Sequence, residues 1–134
     1  KSRYESIRNF EKHLTVNGVT ILKFFLHVSK DEQKQRFLDR IDDPAKNWKF
    51  SGGDISERAL WDDYMKAYEN ALSETSTDDA PWYVIPADKK WYTRLAVSQI
   101  IAEKLESLSL KFPVLAKEEA DKLAEYKENL LSEK

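Results

Sequence analysis

Two short apolar runs constrain this chain more than any other feature. The first, Val19 to Val28, reads Val-Thr-Ile-Leu-Lys-Phe-Phe-Leu-His-Val and is apolar at odd and even positions alike. A half-exposed strand would alternate, so the pattern predicts a strand buried on both faces, as in parallel sheets. The second, Trp82 to Ile85, is closed by Pro86 and reads the same way. Each run is entered from a helical segment and followed by one, which predicts an α/β fold rather than an all-α one. Two parallel strands leave unpaired edges, so the remaining strands are expected from upstream sequence or from a partner.

The helical segments have their own signals. Tyr4, Ile7, Phe10 and Leu14 form one stripe, and Asn17-Gly18 is a helix stop. Ser29 with Glu32 is a capping box predicting a helix from Lys30 to about Ile41, ended by Asp42-Asp43-Pro44. After an irregular stretch to Gly53, Asp54 with Glu57 predicts a second box and one long helix to about Ser73. Asp88 is placed to cap a helix from Lys89 to Leu108, with Trp91, Leu95, Ile100, Ile101, Leu105 and Leu108 inward. A charged helix from Lys117 to Leu131 closes the chain.

Composition removes several function classes. With 22 basic and 24 acidic side chains in 134 residues, the net charge of −2 argues against a nucleic-acid binder. There is no cysteine, which excludes disulfides, thiolate catalysis and Cys-type zinc sites. No apolar run reaches the roughly 20 residues needed to span a bilayer, and Lys1 to Glu11 is too charged for a signal peptide. A soluble, cytoplasmic protein is the expectation. Lys1 is not an initiator methionine, so the chain is expected to be a piece of a longer protein. Residues 114–134 hold four basic and six acidic side chains, all of the net charge, and are expected to form a solvated or partner-facing tail.

Complete active-site motifs are missing from these residues. There is no G-x-x-x-x-G-K-[ST] loop, no G-x-G-x-x-G, no H-E-x-x-H and no G-x-S-x-G. His27, within the first apolar run, reads as a hydrogen-bonded core residue rather than a catalytic one. Asp62 and Asp63 point about 100° apart on a helix and do not share a site. The informative stretch is Arg36 to Trp61. Arg36 and Arg40 lie one helical turn apart, Lys46 and Lys49 follow in the irregular segment, and Arg58 opens the next helix. Such a group can close over a polyanion, Arg supplying fork geometry and Lys a mobile charge. The same residues interleaved with Asp39, Asp42, Asp43, Asp54 and Glu57 can also form a salt-bridged surface.

Taken together these words resemble the C-terminal half of the polyphosphate kinase 2 family. They are Ile21 through Gln33, Arg36-Phe37, Arg40, Asp43-Pro44, Lys46, Trp48-Lys49, Ser51, Asp54, Arg58, Trp61 and Tyr64. Thr75-Ser-Thr77, Ala80-Pro-Trp82 and Ile85 through Tyr92 complete the set. The match runs in order from about Arg3 to Pro113; residues 114–134 lie outside it.

The resemblance implies part of a P-loop, thymidylate-kinase-like parallel sheet whose N-terminal strands are missing, with a helical lid over about residues 42–73. It implies a magnesium-dependent phosphotransferase acting between inorganic polyphosphate and AMP, ADP or ATP, a homo-oligomer at full length. Arg40 matches the lid arginine that would stabilise the transferred phosphoryl group, and Arg36, Lys46, Lys49 and Arg58 would line the polyanion path. Asp88 and Lys89 follow the last strand, where such kinases hold the nucleotide base; Asp88 reads equally as a helix cap. The phosphate loop and the magnesium ligands would precede Lys1, so the 134 residues alone are expected to be inactive. The alternative is an inactive polyphosphate- or nucleotide-binding, or helical interaction, module.

Overall fold

A computed structural model describes residues 2–133. Helix α1 (Ser2–Val16) leads into β1 (Lys23–His27) and α2 (Lys30–Asp42). A 3₁₀ turn (Asn47–Lys49) precedes α3 (Gly53–Ala59) and α4 (Trp61–Thr75). Then come β2 (Trp82–Pro86), α5 (Lys90–Ser107), α6 (Lys117–Ala120) and α7 (Leu123–Ser132). The chain divides into two compact units, one ending at Ala102 and the other beginning at Glu103.

β1 and β2 pair in parallel, with Lys23 opposite Trp82 and His27 opposite Pro86. The two apolar runs are therefore neighbouring strands of one sheet, joined by a helical crossover as a parallel pair requires. α1 ends where the Asn17-Gly18 signal places it. Gly18 adopts φ 85°, and the Val19 and Gly18 N–H groups return to the Leu14 and Thr15 carbonyls at 3.1 and 3.0 Å. That is a Schellman closure, which needs the left-handed residue that glycine supplies. Ser29 caps α2 as expected, its hydroxyl accepting from the Glu32 N–H at 3.1 Å.

A polar knot joins the elements behind the sheet. Lys23 Nζ meets both Glu11 carboxylate oxygens at 2.8 and 2.9 Å and the Thr75 carbonyl at 2.7 Å. It also lies 5.2 Å from the Trp82 ring centre. The indole N–H of Trp82 donates to Thr75 Oγ1 at 2.9 Å, and that hydroxyl donates to the Ala71 carbonyl. α1, β1, α4 and β2 are thus tied at one point. Only 10% and 13% of the Lys23 and Glu11 side chains are exposed, so the pair replaces lost hydration with a full set of partners.

Several expectations need correction. β1 is five residues long and is not covered on both faces: Leu26 and His27 are exposed. The expected Asp54–Glu57 box does not form. Asp54 instead accepts from the Ser51 N–H at 3.0 Å, one box earlier. The single long helix breaks at Leu60 (φ −90°, ψ 21°) into α3 and α4. The tail helix likewise breaks near Asp121-Lys122. Of the residues expected inward from Lys89 to Leu108, Trp91, Leu95, Ile101, Leu105 and Leu108 are exposed and Ile100 is half-buried, so none enters a core. Ala80, Ile85 and Ala87 are the buried apolar residues among those described. A two-stranded sheet offers too little surface to cover the apolar faces of the helices around it. No helix among the described residues is long and apolar enough to cross a membrane.

Candidate functional site

In open parallel sheets ligands bind beyond the carboxyl ends of the strands, and two loops meet there in this chain. The Ala87 N–H extends the ladder by donating to the His27 carbonyl at 2.8 Å. One residue further, Asp88 Oδ1 accepts from the Ser29 N–H at 2.7 Å. This hydrogen bond holds the Asp88 carboxyl below its ordinary range, with the Arg36 and His27 charges as smaller contributions. Its partner is the start of α2, not the first turn of α5, so the cap reading of Asp88 is replaced by a cross-loop link. Arg36 completes the junction. Its Nε pairs with Glu32 at 2.9 Å and its Nη2 donates to the Ala87 carbonyl at 2.7 Å. Thr93 Oγ1 stands 3.0 Å from the Pro86 carbonyl and fixes the start of α5. A cleft of about 350 Å³ opens here, lined by His27, Ser29, Asp88, Lys89, Trp91 and Tyr92. His27 is exposed in it rather than satisfied in a core.

The cations of the helical excursion fall into two classes. Arg36 is held as described, and Arg58 Nη1 donates to the Lys30 carbonyl and Gln33 Oε1 at 2.7 and 2.9 Å. Lys46 pairs with Asp43, which raises its pKa and lowers that of Asp43 through their mutual hydrogen bond. These three are committed to protein partners. Arg40 lies against Phe37, 5.6 Å from the ring centre, and Lys49 lies 5.0 Å from the ring centre of Trp48. Neither enters an ion pair among the described residues, so both keep their hydrogen-bond donors for a ligand.

A second cleft of about 290 Å³ lies between β1, α2, α3 and α4. Phe25, Phe37, Trp61, Tyr64 and Tyr68 wall it, with Gln33, Asp54, Glu57 and Arg58 at its polar side. The Tyr68 ring packs at a tilt of 46° against Phe25, centres 4.9 Å apart, and approaches Tyr64 at 6.4 Å. The Tyr64 hydroxyl donates to Glu57, which raises the phenol's pKa. Trp61, Tyr64 and Tyr68 lie at helical spacing on α4 and line the cleft together. Among the described residues no three His, Asp or Glu side chains converge on one point.

The family model for polyphosphate kinase 2 matches residues 1–113. The chain belongs to that family. It is 57% identical over 129 residues to the ADP-polyphosphate phosphotransferase of Rhodopseudomonas palustris, covering 96% of this chain and 45% of that protein. It is 57% identical over 113 residues to the AMP/ADP-polyphosphate phosphotransferase of Meiothermus ruber, covering 84% and 42%. The crystal structure of polyphosphate kinase 2 from Arthrobacter aurescens TC1 superposes with a TM-score of 0.86 at 47% identity, over 98% of this chain and 46% of that one. The chain thus spans a little under half the length of these relatives. Its two strands are part of the P-loop-kinase-like α/β fold of the polyphosphate kinase 2 family.

Proposed function

We propose that the chain works in a phosphotransferase moving phosphoryl groups between inorganic polyphosphate and AMP, ADP or ATP. One observation carries the reading. Arg40 and Lys49 are uncommitted cations on a helical excursion that starts at the carboxyl end of β1. A polyphosphate chain lying under residues 42–73 meets these two charges first. Arg40 stabilises charge on the phosphoryl group in transit, and Lys49 follows the polyanion as a mobile point charge. Arg36 and Arg58, matched by resemblance to the polyanion path, act mainly by holding α2 and α3 in place. Asp88 and Lys89 line the cleft assigned to the nucleotide. No covalent enzyme intermediate is required, because positioning and electrostatics dominate this chemistry. Magnesium would be held by residues outside these 134, and no step here runs through it.

The test is a chimera in which this chain replaces the matched part of the R. palustris phosphotransferase. ATP formation from ADP and polyphosphate is expected, with a loss of 10³-fold or more in Arg40→Ala. A folded chimera that makes no ATP overturns the reading. The second reading is binding without transfer. Salt-sensitive polyphosphate binding by the chain, with an inactive chimera, would select it.

A further inference from the structure

The two edges of the sheet are finished differently. The Ala87 N–H donates to the His27 carbonyl, so Lys23, Phe25 and His27 turn their backbone groups toward β2. Phe24 and Leu26 turn theirs away. On β2 the outward positions are Trp82, Val84 and Pro86. The Trp82 N–H donates to Ser76 Oγ at 3.2 Å, Pro86 has no N–H, and Thr93 Oγ1 stands 3.0 Å from its carbonyl. An edge closed in this way resists a further strand. The β1 edge is open. Among the described residues no strand lies beside Phe24 and Leu26, and Leu26 is 51% exposed. At the start of β1 an apolar groove of about 450 Å³ is lined by Ile7, Phe10, Leu14 and Ile21, with Phe10 64% exposed.

We propose that the β1 edge and the α1 groove bind a separate polypeptide carrying the complementary half of the polyphosphate kinase 2 fold. That partner adds a third strand beside Phe24 and Leu26 and covers Phe10. The size of the occupant follows from the relatives. This chain covers 45% of the R. palustris protein and 42% of the M. ruber one, so a little over half of each lies outside the match. The same span also occurs nearly by itself. A protein of Leptolyngbya boryana is 53% identical over 131 residues, covering 98% of this chain and 96% of that protein. A protein of that extent takes any further strand of the sheet from another molecule. Main-chain bonds along the open edge supply affinity, and the flanking apolar groove supplies specificity. The proposal concerns assembly and does not need the transfer reading.

The experiment co-expresses the 134-residue chain with the part of the R. palustris phosphotransferase that it does not match. A one-to-one complex is expected in sedimentation, and a monomer for the chain alone. Leu26→Pro removes an outward donor and leaves the β1–β2 ladder whole, so it should weaken the complex roughly tenfold or more. Leu26→Lys and Phe10→Lys, which keep every backbone donor, should weaken it as well. Circular dichroism of each variant alone separates lost association from lost folding. No complex with the unaltered chain, or a complex indifferent to all three variants, overturns the surface. A dimer of the chain alone that Leu26→Lys dissolves also overturns it, by giving the edge to a second copy. ATP formation is read separately. A complex that assembles but makes no ATP from ADP and polyphosphate upholds the surface and counts against the phosphotransferase reading.

Discussion

The backbone N–H of Ser29 donates to the Asp88 carboxylate at 2.7 Å, and this bond joins the two loops that leave the sheet. Ser29 also caps α2 through its hydroxyl, so one residue fixes both the helix start and the opposite loop. Arg36 closes the arrangement from the next turn of α2, reaching the Ala87 carbonyl at 2.7 Å. The base of the excursion is therefore fastened to the end of β2. Among the described residues, its far portion, with Arg40 and Lys49, makes no such hydrogen bond to the strands.

That junction makes stability acid-sensitive. The folded Asp88 pKa is depressed by the Ser29 hydrogen bond, so its contribution is present above the ordinary carboxylate value. It is lost as pH falls from about 4 through the lower folded value. Asp88→Asn keeps an acceptor but no titration. Thermal unfolding between pH 2 and 6 should show a shallower acid decline in Asp88→Asn than in the unaltered chain. Parallel declines would mean the link contributes nothing.

The buried pair behind the sheet predicts a larger effect. Glu11→Ala leaves the Lys23 ammonium among protein groups with only the Thr75 carbonyl and the Trp82 ring as partners. Removing one partner of a buried pair typically costs about 3–5 kcal/mol. The double replacement Glu11→Leu with Lys23→Met should recover most of that loss. Denaturant unfolding of the three chains measures both numbers.

Much of this architecture was legible because local signals suffice for it. Gly18 and the Ser29 cap act within one turn, and the strand runs are apolar enough to be read without a partner; the reciprocal half of the expected box does not form, since the Ser29 N–H goes to Asp88 and Glu32 to Arg36. The break at Leu60 was not legible. Leu60 has helical propensity, and the interruption shows only in its backbone angles and in the Tyr64–Glu57 contact across it. The burial of α5 was misread because periodicity reports an apolar face and not whether anything covers it. At the site, charge and spacing marked Arg36, Arg40, Lys46, Lys49 and Arg58 as one group. They could not separate Arg36 and Arg58 from the others, because the partners are carbonyls and an amide brought in by the crossover.

Gly18 offers a clean conformational test. A Cβ at this position meets nothing within 4 Å, so Gly18→Ala carries no clash. Its cost comes only from φ 85°, roughly 1–2 kcal/mol for an L residue in the left-handed region. Asn, which tolerates that region better, should lose less. Thermal melts ranking Gly above Asn above Ala would bear this out, and equal melts would not.

The division of the cations into committed and uncommitted gives the sharpest expectation for binding. Arg40→Glu and Lys49→Glu alter charges that enter no ion pair among the described residues, Arg40 half-buried against Phe37 and Lys49 exposed, so the fold should persist while polyphosphate affinity drops. At low ionic strength each reversal should cost tenfold or more, shrinking in 0.5 M salt as screening shortens the reach of the field. Arg36→Gln should behave differently. It releases the Ala87 carbonyl and loosens the junction, so the melting temperature should fall more than the affinity does. The comparison needs only binding isotherms and melts on the same three variants. Equal affinity loss in all three would place Arg36 on the polyanion path with the others, and unchanged affinity in Arg40→Glu and Lys49→Glu would remove that path from this face.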